Sequence, residues 1–97
     1  MRVIPKQFDL FGQRITVETQ KNFAREQGCL GKWHPYQLKI VLQEPDEEHA
    51  QSVILQTFWH EAIHACLDLL GHTDLSENEV LVEQLGQAIF QVLKTKR

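Results

Sequence analysis

The stretch "FWHEAIHACLD", Phe58 to Asp68, decides the fold. Phe58, Ala62, Ala65 and Leu69 recur at helical spacing, and Leu55, Trp59 and Cys66 widen the same side. A segment apolar over so much of its circumference is a helix packed on most sides. What remains is a narrow polar stripe of Thr57, His60, Glu61, His64 and Asp68. Enclosed polar groups have to be satisfied by something, and this stripe carries the chemistry.

Working outward, Asp46 is placed to cap this helix, with Glu47 and Glu48 favouring its dipole in the first turn. The helix is expected to run to about Leu70, with Gly71 following as a residue able to take the left-handed conformation. Ser76 and Glu79 then spell a capping box, predicting a last helix from about Glu77 to Lys94. Upstream, Phe8 and Leu10, then Ile15 and Val17, alternate with polar residues around "FG", the pattern of a two-residue hairpin. Leu38, Ile40 and Leu42 alternate in the same way and predict a third strand. Between them, "QKNFAREQG" reads as irregular, although it has room for a short helix closed by Gly28. "GKWHPYQ" reads as loop, because Pro35 removes a donor and restricts His34. The expectation is an α+β fold: an antiparallel sheet of about three strands followed by two long packed helices.

The chain has 97 residues, 42% hydrophobic and 24% charged, with a net charge of −3. Residues 1–97 are therefore read as one domain with a single modest core. The acidic balance gives no electrostatic reason to expect nucleic acid. The start of the chain lacks a leader-length apolar run and no later stretch is long enough to span a bilayer, so no membrane is expected and a cytoplasmic address is the default. Cys29 and Cys66 match no disulfide framework or paired-thiolate zinc motif and are read as small buried hydrophobes.

His60 and His64 lie one turn apart on one helix face, so both imidazoles can reach a single ion, as zinc requires of two nitrogen ligands. Glu61 is poorly placed to be a third ligand. Its natural role is general base, deprotonating a water that the metal has made more acidic. The H-E-x-x-H pattern thus has a mechanism for each fixed position. A third protein ligand is still needed, and Glu83, His72 and Glu79 are the candidates. Glu79 already has a structural role in the capping box, whereas no cap or ion pair accounts for Glu83, which is preferred.

"HEAIHACLD" followed by "EQLGQAIF" resembles the zinc-binding helix pair of gluzincin metallopeptidases, and in size and order the minimal ImmA/IrrE-like domains and small phage-encoded relatives. The resemblance implies a zinc peptidase in which His60, His64 and Glu83 hold the ion and Glu61 is the base. It also implies that Asp68 orients an imidazole and that a peptide or protein substrate docks as an extra strand along the segment Leu38 to Gln43. Gly86 and Gln87 depart from the alanine and the asparagine or aspartate commoner in ImmA/IrrE domains. Larger gluzincins wall the cleft with a further subdomain, so a partner protein completing it is expected here. Two other readings remain open: a non-catalytic, zinc-stabilised protein-binding module, and a metal-dependent hydrolase of a non-peptide substrate.

Overall fold

The computed structural model describes residues 4–97; Met1 to Val3, where the reading for a leader begins, lie outside the described residues. Four strands, β1 (Gln7–Leu10), β2 (Gln13–Gln20), β3 (Gly31–His34) and β4 (Lys39–Gln43), form one sheet in the order β1-β2-β4-β3. The helices are α1 (Phe23–Gln27), α2 (Gln51–Leu69), α3 (Thr73–Ser76) and α4 (Glu79–Thr95). The protein is α+β, with the two long helices following the sheet.

The hairpin between β1 and β2 forms where the alternation places it, turning on Phe11 and Gly12 with φ of 52° and 78°. Two positive φ values in succession match the right-handed twist of the strands they join. The "GKWH" reading is corrected: β3 completes its pairing with β4 at His34, so Pro35 stands just beyond the strand and costs it no hydrogen bond. The sheet is also mixed rather than antiparallel, since β2 and β4 run parallel. A parallel pair needs a crossover, and α1 with β3 supplies it. Gly28, at φ 75°, closes α1 by donating its N–H to the Ala24 carbonyl at 2.9 Å.

Ile15, Ile40 and Leu42 project from one face of the sheet onto Ile54, Leu55, Phe58, Ala62 and Ala65 of α2, and these form the core. Phe58 meets the rings of Phe8 and Trp59 edge to face. The other sheet face is covered at one end by α1, where buried Gln43 accepts the Ala24 N–H at 2.7 Å and donates to the Glu44 carbonyl at 2.9 Å.

Asp46 does not cap α2. Its Oδ1 accepts the N–H groups of Glu48 and His49 at 2.9 and 2.8 Å, closing a separate turn, and α2 begins only at Gln51. At the far end Gly71, at φ 84°, completes a paired cap: its N–H reaches the Asp68 carbonyl at 3.0 Å and that of His72 the Leu67 carbonyl at 2.8 Å. The capping box is not formed either. Asn78, not Ser76, caps α4, its side chain accepting the Leu81 N–H at 3.1 Å. Both cysteines are free thiols, Cys29 exposed and Cys66 half-buried, so neither is the fully buried hydrophobe expected. No helix among the described residues is long and apolar enough to cross a membrane.

Candidate metal centre

Two glycines set the walls of the site. A Cβ on Gly86 would lie 3.2 Å from both Cα and N of His60, so α4 crosses α2 with almost no spacing at the histidine itself. On the opposite side, a Cβ on Gly31 would meet Leu42 Cδ2 at 2.7 Å and Thr57 Cγ2 at 2.8 Å. Any side chain at this position would have to displace both methyls, so glycine lets β3 run close to α2. Trp33 then pins the strand, its indole Nε1–H donating to Asp68 Oδ2 at 2.9 Å. Asp68 therefore holds β3 and does not orient an imidazole, because the His60 and His64 ring nitrogens are paired with Glu79, Glu83 and Ser76 instead.

Within these walls His60 and His64 stack one turn apart, ring centroids 5.0 Å from each other. Their Nε2 atoms face the same oxygen: Glu79 Oε1 lies 3.1 Å from His60 Nε2 and 3.3 Å from His64 Nε2. The Nδ1 atoms point the other way, His60 to Glu83 Oε1 at 3.2 Å and His64 to the buried Ser76 hydroxyl at 3.0 Å. A carboxylate can only accept, so a hydrogen bond from His60 to Glu83 places the proton on Nδ1. A neutral His60 then presents a lone pair at Nε2.

Facing lone pairs repel unless positive charge lies between them. A proton on each Nε2 would supply it twice over; one divalent cation supplies it to both rings at once. The donor set, two imidazole nitrogens and one carboxylate oxygen, suits zinc, and the three ligand atoms lie within 4.8 Å of one another. Neighbouring ligand atoms around a tetrahedral ion with bonds of about 2.0–2.1 Å are about 3.3 Å apart, close to the separations from Glu79 Oε1.

The structure thus brings Glu79 to the ring nitrogens that share a centre, and Glu83 to the back of His60. With Asn78 as the cap, Glu79 is released from the capping role assigned to it and stands in the first turn of α4 facing α2. His72 lies at the start of α3, exposed, and is not in the cluster among the described residues. Ser76 had no functional reading, since its sequence signal was that of a helix cap.

Glu61 is 9% exposed. Burial raises its carboxyl above the usual range, against the pull of His60, His64 and the backbone N–H of Trp33, with Glu79 adding to the rise. It sits where two clefts meet. One, of about 500 Å³, is lined by Lys32, Trp33, Pro35, His64 and Asp68; the other, of about 360 Å³, by Leu30, Val53, Gln56, Thr57 and Glu83. Cys29, Gly31, His60 and Glu61 border both.

The segment Leu38 to Gln43 cannot receive an added strand, because β4 is already paired on both sides. The sheet edge beside the clefts is β3. Tyr36 is fully exposed in the turn after it and does not border either cleft. No protein-family model, curated protein or solved structure matches the chain, so what it does is argued from the geometry of this site.

Proposed function

We propose that the protein is a small zinc-dependent metallopeptidase of the gluzincin kind, in which His60, His64 and Glu79 hold the ion and Glu61 is the general base. One observation carries the reading: a single carboxylate oxygen 3.1 and 3.3 Å from two imidazole Nε2 atoms whose other nitrogens are already engaged. A zinc ion in such a site supplies Lewis acidity, polarising a carbonyl and making water a ready nucleophile at neutral pH.

The chain's own residues do the rest. Glu61, held in a largely dry position with a raised proton affinity, takes a proton from water and passes it to the leaving amine. Glu83 and Ser76 keep the two rings turned with Nε2 toward the shared centre. The free edge of β3 receives an extended peptide or protein segment through main-chain hydrogen bonds, laying it across His60 and Glu61 where the clefts meet. Across from β3 the Glu79 and Glu83 side chains are exposed, and a partner protein completing that wall belongs to the same proposal. Two free thiols suit a reducing compartment, which supports a cytoplasmic address.

Glu61→Gln tests this directly. The variant should keep one zinc per chain and lose all hydrolysis of an unstructured protein substrate that the wild type cleaves. A variant that still cleaves overturns the assignment of Glu61. A wild type that holds zinc but cleaves nothing, alone or with its partner, makes the protein a zinc-stabilised binding module.

A further inference from the structure

Helix α4 carries more apolar surface than the rest of the fold covers. Val82 and Gly86 are buried against α2, and Ile89, Phe90 and Leu93 are half-covered beside them. A second stripe is left over. Leu81, Leu85, Ala88 and Val92 follow the alternating four- and three-residue spacing of a coiled-coil seam, and at about 100° per residue they fall within about 60° of one another. Leu85 is 40% and Val92 61% exposed, Ala88 is exposed and Leu81 half-buried. The same rotation puts this stripe on nearly the opposite side of α4 from Glu79 and Glu83.

We propose that the stripe is the contact surface of a homodimer in which α4 packs antiparallel against α4 of a second copy. A twofold axis through the middle of the stripe sets Leu81 against Val92 and Leu85 against Ala88. A large residue thus meets a small one at the centre, where the axes must approach to about 8–10 Å. Charge selects both the partner and its direction. Glu77 stands just before the N-cap of α4, and Lys96 and Arg97 stand at its C-terminal end. Antiparallel copies bring acid to base at both ends, whereas parallel copies would bring like to like. The flanks add no repulsion, because Gln84 and Gln91 border the stripe on one side and Val82 and Ile89 on the other. A seam this short lies at the low end of interface sizes, below about 1,200 Å² in total, so the dimer is a weak one that dissociates on dilution. The metal face points away from the axis, which makes assembly and metal binding separable.

Sedimentation equilibrium of the full chain, with zinc and with EDTA, up to about 500 μM covers the range for such an interface. Wild type should dimerise reversibly under both conditions. Leu85→Glu and Val92→Glu should each be monomeric throughout, with unchanged helical content. Glu77→Lys should weaken dimerisation roughly 3–10-fold, and adding Lys96→Glu in the same chain should restore it. A monomeric wild type, or dimerisation undiminished in both stripe variants, overturns the proposal. A charge reversal without effect overturns the antiparallel arrangement.

Discussion

Gly86 rests against the backbone of His60: the side chain it lacks would begin 3.2 Å from two His60 main-chain atoms. Gly86 has no side chain to offer an ion, yet it sets the distance between the two helices that share the candidate centre. Helix propensity alone favours alanine over glycine by about 1 kcal/mol. Backbone atoms cannot rotate aside as a side chain can, so contact outweighs propensity once the substituent is larger than a methyl. Gly86→Val should destabilise the metal-free protein by about 1–3 kcal/mol in urea unfolding. It should also weaken zinc binding more than any change on the far side of α4. Unchanged zinc affinity in Gly86→Val would show that the helix spacing is irrelevant to the site.

Glu79 and Glu83 both touch His60, but at different nitrogens, and the two contacts predict different losses. Glu79→Gln should abolish stoichiometric zinc binding. Glu83→Ala should retain one zinc per chain with affinity reduced about 10–100-fold, the usual consequence of losing an acceptor behind a ligating imidazole. Competition with a chromophoric chelator reads both. The opposite pattern would return the third ligand to Glu83.

Ser76 makes the corresponding contact for His64 and is itself buried. Ser76→Ala should lower zinc affinity about tenfold or more, while Ser76→Thr, which keeps the hydroxyl, should lose less. Equal behaviour of the two variants would mean that the hydroxyl does not orient the ring.

Much of this arrangement is legible in the sequence because it is periodic. Alternation around Phe8 to Val17 and Leu38 to Leu42 locates three strands. The apolar circumference of the segment around Phe58 locates α2 and leaves His60, Glu61 and His64 as its polar stripe. What was not legible depends on tertiary contact. The strand Gly31–His34 has neither alternation nor length; it exists because β4 offers it an edge and Gly31 lets it pass α2. Asp46 and Ser76 are good caps by composition. Each instead satisfies a different donor, Asp46 its own turn and Ser76 the His64 ring, so α2 and α4 begin later than expected. That shift of the α4 cap to Asn78 frees Glu79. The choice among three candidate ligands turned on a helix start, the least determinate feature of a local pattern.

The central claim is that His60, His64 and Glu79 grip one divalent ion, and the most direct measurement is the thermal unfolding of EDTA-stripped protein as zinc is returned. Free zinc at a hundredfold excess over Kd stabilises by about 2.7 kcal/mol, and at about 4–8 °C per kcal/mol for a domain of this size the midpoint should rise by about 10–20 °C. The rise should continue with further free zinc, by about 1.4 kcal/mol per tenfold, and vanish in Glu79→Gln. A midpoint indifferent to zinc in the wild type would contradict the claim.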